Sequence, residues 1–126
     1  MKQSEHMEIK AGYAHYAPKG VVTLEEGIAL VTEAIRFCRF QKISRLLVDS
    51  TGLTGFPPPL IHERYWSAQE WAHAAKGALD LAMVAKEENL DPQRFGVLVA
   101  KNAGLNAHAS SSLEECLAWL LAQPAR

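Results

Sequence analysis

The stretch Arg45-Leu46-Leu47-Val48-Asp49-Ser50-Thr51-Gly52-Leu53-Thr54-Gly55-Phe56-Pro57-Pro58-Pro59 decides the fold. Leu46-Leu47-Val48 is a short apolar run bounded by polar residues, the pattern of a buried strand. Asp49, Ser50 and Thr51 are turn formers, Gly52 and Gly55 punctuate a loop, and Pro57-Pro58-Pro59 halts it. A helical pattern follows from Leu60. This strand, loop and helix make the centre of an α/β domain, whose ligands bind beyond the carboxyl ends of the strands. No stretch of the chain spells out a reaction.

Upstream, residues 1–6 read as a polar tail. From Met7 to Tyr16 apolar and polar residues partly alternate. Ile9, Ala11 and Tyr13 then share the better-buried face of one strand, and Glu8 and Lys10 the other. Pro18-Lys19-Gly20 breaks it. Thr23-Leu24-Glu25-Glu26 fits a capping box. Leu24, Ile28, Val31, Ile35 and Cys38 recur at helical spacing, which predicts a helix from Leu24 to Phe40. Leu30 and Phe37 lie to one side of that stripe, where they widen the core face or meet a partner.

Downstream of the strand Arg45–Thr51, the residues Ile61, Tyr65, Ala68, Ala72 and Ala75 define the core face of a second helix, which Gly77 ends. Leu79 to Ala85 is an apolar strand interrupted only by Asp80. Asp91-Pro92 starts a third helix, carried by Phe95, Leu98 and Val99 to Gly104. Asn106 to Ser110 is a short fourth strand. Ser112-Leu113-Glu114-Glu115 is a second capping box, and Leu113, Cys116, Leu117, Leu120 and Leu121 build the last helix before Pro124. The expectation is one α/β domain over residues 7–126, with about four mostly parallel strands alternating with four helices.

At 126 residues the chain is one domain long, enough for one core. Its net charge of −1 creates no field that favours nucleic acid or an anionic membrane. No apolar run approaches the ~20 residues that span a bilayer. Met1 to Lys10 has no signal-peptide pattern, so the expected compartment is the cytoplasm. There the two cysteines, Cys38 and Cys116, each on a helical stripe, read as buried reduced thiols rather than a disulfide.

The order of elements, with Gly20-Val21-Val22-Thr23-Leu24-Glu25-Glu26, Leu47-Val48-Asp49, Asp91-Pro92 and Ala118-Trp119-Leu120, resembles the STAS-like or SpoIIAA-like superfamily. These are small cytoplasmic α/β domains similar in fold to anti-sigma factor antagonists and to Sec14-type lipid carriers. The resemblance runs over nearly the whole chain from Met7. It implies a regulatory or protein-binding role without catalysis, or a small-molecule or lipid carrier. The antagonists carry a phosphorylatable serine in an Asp-Ser-Ser-Gly turn. Asp49-Ser50-Thr51-Gly52 imitates that turn but closes the strand. The position the resemblance assigns to the phosphoserine falls several residues later, around Phe56-Pro57-Pro58-Pro59, which offers no hydroxyl. The family's first antiparallel edge strand is expected to be absent or very short.

The candidate binding rim is Asp49, Ser50 and Thr51 with Ser110 and Ser111 (and Ser112), gathered where helix N-termini offer free N–H groups. The same residue types also simply build turns and caps. His62-Glu63 begins like a zinc-protease helix, but Trp66 stands where the second histidine belongs. Glu70-x-x-His73 has di-iron spacing without its second copy. His62 and His73 are about 16 Å apart at ~1.5 Å per residue. No metal site, catalytic set or cofactor is therefore expected. Trp66 falls off the core face beside Tyr65 and Arg64, with His73 further along, and Trp, Tyr and Arg are enriched at interface hot spots. A homodimer through these residues is expected, with another protein partner as the alternative and no membrane insertion.

Overall fold

The chain enters the sheet twice before its first helix. The computed structural model describes residues 5–126, and the counts below are of those residues. The elements are β1 (Met7–Lys10), β2 (Tyr13–Tyr16), β3 (Gly20–Val21), α1 (Leu24–Phe40), β4 (Arg45–Asp49), β5 (Leu53–Thr54), α2 (Ile61–Ala75), β6 (Asp80–Val84), α3 (Phe95–Asn102), β7 (Asn106–Ser110) and α4 (Leu113–Leu121), with a 3-10 turn at Glu87–Asn89.

Met7 to Tyr16 is thus a hairpin and not one strand. Gly12, at φ +88°, takes a left-handed conformation that glycine adopts without steric cost. The chain turns there and pairs Met7 with Tyr16 and Ile9 with Ala14. The turn removes Tyr13 from the face of Ile9. Met7, Ala14 and Tyr16 are buried, while Ile9 is 54% exposed at the sheet edge. The antiparallel edge strand expected to be absent or very short is present and matches its partner residue for residue over four positions. Of the polar tail, residues 1–4 lie outside the described residues. Glu5 and His6 form the turn that leads into β1.

The main sheet has five strands in the order β1-β2-β4-β6-β7, and β3 and β5 form a separate two-stranded ladder. The total is seven strands, not four, and the sheet is mixed. β1 runs antiparallel to β2; β2, β4, β6 and β7 are parallel. β4 and β6 are interior, as their uniformly apolar runs require.

Chain direction explains the layers. β2, β4, β6 and β7 advance one way across the sheet, and parallel crossovers are right-handed. The three crossover helices must then share a face. Accordingly Val31, Ile35, Cys38, Ala68, Ala72 and Ala100 pack with Leu46, Val48, Leu81 and Ala107 in one core. α4 follows the last strand, is bound by no crossover, and covers the other face, where Leu47, Ala82, Val84, Cys116 and Leu120 form a smaller core. Ile35, Leu46, Leu47 and Leu120 are each 0–1% exposed, and each such burial contributes on the order of 2 kcal/mol. Phe37 is buried and Leu30 packs against the core, so both widen the core face of α1.

Caps fix the helix starts. The Thr23 Oγ1 accepts from Glu26 N, and Thr23 N donates back to the Glu26 carboxylate. Leu60 N donates to the Glu63 carboxylate at the head of α2. Asp91 accepts from Gln93 N and Phe95 N, so Asp91-Pro92 builds a turn and the helix itself begins at Phe95. In α3, Val99 is buried but Leu98 is 56% exposed.

Asp80, the one break in its apolar strand, is 3% exposed. It accepts from Arg126 NH2 at 2.6 Å and from Asn106 Nδ2 at 3.2 Å. Arg45 NH2 donates to Gln123 O nearby. This polar set closes the amino-terminal end of the sheet. Among the described residues no helix is long and apolar enough to cross a membrane.

Candidate functional site

At the opposite end, small residues leave a space. Gly27 of α1, Ala68 of α2, Gly96 and Ala100 of α3, Ala85 just beyond β6, and Ala107 and Ala109 of β7 line one cavity of about 170 Å³. Larger residues on these walls would fill it. Ile28, Val31, Leu53, Phe56, Leu81, Met83, Val97 and Leu105 complete an apolar lining. Trp71 forms one wall, and its Nε1–H donates to Ile28 O at 3.2 Å, which fixes the ring.

The polar part of the lining is Ser50, Arg64, Ser67, Asn89, Asp91, Arg94 and His108. Arg64 NH1 donates to Asn89 O at 3.0 Å. Arg94 donates through Nε to Ala109 O at 3.1 Å and through NH1 to Asp91 O at 2.7 Å. Both guanidinium groups are thus held by backbone carbonyls. Among the described residues neither has a carboxylate within 4.0 Å. The Asp91 carboxylate in the same lining is taken by Gln93 N and Phe95 N, so two cations against one carboxylate leave a net positive lining that favours an anionic group on whatever enters the cavity.

The expected rim does form at the carboxyl ends of β4, β6 and β7. Ser50 N and Oγ both donate to Val84 O at 2.9 Å, and Ala85 N donates to Ser110 O, so the two segments flank the end of β6. Yet most of its side chains are used locally. Asp49 accepts from Thr51 N and Oγ1 at 3.0 and 2.6 Å, an Asx turn. Ser110 Oγ donates to Ser112 O and accepts from Ser112 N. Ser111 is exposed, and Ser112 Oγ accepts from Glu115 N at the head of α4. Of the rim residues named from sequence, only Ser50 lines the cavity.

The residues expected at an interface also divide. Tyr65 and Trp66 are 51% and 43% exposed, and with Leu60 and Ile61 they leave apolar surface on the first turns of α2. Arg64 turns inward to the cavity. His73 is exposed two turns on, in a separate open cleft with Gln69, Lys76 and Ala103. Ile61 and Tyr65, expected on the core face, are therefore outside it. The inward stripe of α2 is Arg64, Ala68, Trp71, Ala72 and Ala75. An arginine occupies a core-stripe position because that position faces the cavity rather than packed side chains.

Both cysteines are free and buried, on opposite faces of the sheet. Burial pushes the Cys38 thiol up to about 12. It also raises Cys116, against the lowering effect of hydrogen bonds from Ser110. Trp119 is half-buried and stacks on His108.

The cavity, Trp71 and Arg94 were missed from sequence. Small residues from several separate elements carry no local pattern; the one available signal was Arg64 at core spacing with Ala68. Comparison with known proteins gives no match: no family model, curated protein or solved structure is similar to the chain.

Proposed function

We propose that the protein is a non-enzymatic binding module of STAS-like type whose ligand is a small, mainly apolar molecule carrying an anionic group. The cavity beneath α1, α2 and α3 carries this reading. An apolar cavity of ~150 Å³ is known to hold benzene, so 170 Å³ suits an apolar body of about six to eight carbons. Arg64 and Arg94 would face the anion. Ser50 and Ser67 supply no activated nucleophile, since each hydroxyl donates to a backbone carbonyl, of Val84 and Arg64 respectively. A carrier or sensor role follows, and the cavity ranks it ahead of the regulatory role expected first.

Short-chain carboxylates test this. Hexanoate, octanoate and benzoate are titrated against the matching alcohols, with Trp71 emission followed in a chain whose Trp66 and Trp119 are replaced by Phe. The carboxylates should bind one per chain and the alcohols at least tenfold more weakly. Arg64→Ala and Arg94→Ala should remove that preference. Absence of binding by all probes, with no retained small molecule in native mass spectra of the protein taken from cells, overturns the proposal.

A second reading rests on Leu60, Ile61, Tyr65 and Trp66, which leave contiguous apolar surface on α2. A twofold homodimer pairing these turns would cover it. Sedimentation at micromolar concentration should then show a dimer that Trp66→Ala weakens. A monomeric wild type removes this reading and leaves the cavity untouched.

A further inference from the structure

On the sheet face away from the cavity, three side chains of different chemistry converge. His108 ends toward α4 from β7, and Glu115 and Cys116 lie in the first turn of α4. One ligand atom from each, the His108 imidazole nitrogen, a Glu115 carboxylate oxygen and the Cys116 Sγ, lies within 4.8 Å of the other two. We propose that His108, Glu115 and Cys116 bind a zinc-class divalent cation. His108 also borders the cavity, but the proposal does not rest on the cavity's ligand.

Zinc takes thiolate at ~2.3 Å and imidazole or carboxylate at ~2.0–2.2 Å. Donor atoms around one tetrahedral ion are then about 3.2–3.8 Å apart. Around one ion the His108–Glu115 contact of 2.7 Å would open by about 0.5 Å, and the separations to Cys116 Sγ, at most 4.8 Å, would close by about 1 Å. A set of imidazole, thiolate and carboxylate selects zinc-class ions over magnesium or calcium, which prefer all-oxygen shells. With three protein ligands the fourth position is left to water.

The surroundings hold the ligands in place. The His108 ring stacks on Trp119 with centroids 5.1 Å apart and planes at 16°. Ser110 Oγ lies 3.2 Å from Cys116 Sγ; on metal binding the thiol would give up its bond to Met83 O, and the Ser110 hydroxyl would turn from Ser112 O to donate to the thiolate, the kind of outer-shell contact that tunes a metal ligand. Glu115 also departs from what its helix position dictates. Glu26 and Glu63, at the same place in α1 and α2, accept from their cap N–H groups. Glu115 instead meets His108 Nε2–H, at 2.7 Å to Oε2 and 2.9 Å to Oε1. The second capping box read from sequence is therefore half-formed. The His108 side chain is 29% exposed and that of Glu115 51%, so an ion reaches the site from solvent.

The charges and protons balance. The thiol proton passes to water as the sulfur–metal bond forms. The His108 proton moves from Nε2 to Nδ1 through solvent, and the Nε2 lone pair takes the metal. Thiolate and carboxylate together offset the two positive charges. This set was not legible in the sequence, because six residues separate His108 from Glu115 and that spacing matches no zinc motif considered above.

Cobalt(II) is the probe. The untagged chain, cleared of metal by a chelator, should bind one cobalt ion with a thiolate-to-metal charge-transfer band, and stoichiometric zinc should displace it. Cys116→Ser should abolish the band, while Cys38→Ser preserves it. Glu115→Gln and His108→Gln, at partly exposed positions, should each weaken binding at least tenfold with the far-ultraviolet circular dichroism unchanged. Failure to bind one ion per chain, a band that survives Cys116→Ser, or affinity unchanged in both Gln variants overturns the proposal.

Discussion

Replacing Ala68 with leucine separates a cavity from a packed wall by the sign of one number. Ala68 is 2% exposed and lines the cavity from α2. The substitution adds three carbons beside a space of about 170 Å³. Each buried CH₂ contributes ~0.8 kcal/mol, so full accommodation stabilises the fold by about 2 kcal/mol, less a few tenths for helix propensity. In a wall already packed, the same carbons would cost about 1–3 kcal/mol. Ala74 supplies the control, because it is 3% exposed and belongs to the packed core. Urea unfolding reads both variants. Ala68→Leu should raise the midpoint with an unchanged slope, and Ala74→Leu should lower it. Carboxylate binding should fall at least tenfold in Ala68→Leu alone. A lowered midpoint for Ala68→Leu, equal to that of the control, refutes the cavity and with it the small-ligand function.

Three further outcomes are expected. Gly27→Ala should stabilise by about 1 kcal/mol through helix propensity, because its new Cβ would meet Leu53, Val22 and Phe56 at 3.7–4.0 Å; thermal unfolding measures it, and a lower melting temperature contradicts the spacing. Because Cys38 is raised by burial from 9.0 to about 12, the folded chain holds a proton that the unfolded chain releases between those values; the contribution is whole below pH 9, is lost as pH rises toward 12, and should be absent in Cys38→Ala by urea titration. Arg126→Ala should cost about 1–2 kcal/mol, since it takes a partner from buried Asp80, and should cost less in an Asp80→Asn background; equal losses in both backgrounds rule out the pairing.

How far the sequence could be read depended on where each signal resides. Leu46-Leu47-Val48 and the Leu79–Ala85 run were legible as interior strands because burial on both faces demands continuous apolar residues. Thr23 with Glu26 was legible because a capping box is a local contract between two side chains. The Met7–Tyr16 hairpin was not: Gly12 was the only signal of reversal, and alternation on either side of it blends into one apparent strand. β3 and β5, with two residues each, are too short to show any period. The rim was found in place, but the hydrogen bonds of Asp49, Thr51 and Ser110 turn it into scaffolding. The cavity rests on glycine and alanine at tertiary positions, and absent side-chain volume leaves no periodic trace.

The two ends of the cavity wall differ in how firmly they are tied. α1 has 17 residues and a reciprocal cap, whereas α3 has eight and begins after Arg94 in a left-handed conformation at φ +54°. Short elements reached through irregular segments open locally at less free-energy cost than the fold as a whole. Amides of residues 87–97 should therefore exchange with solvent before those of α1. If ligand enters by that opening, its association rate will follow the exchange rate of this segment and not global unfolding. Ligand capture would then be a matter of timing in one short helix, with the sheet and α1 standing still.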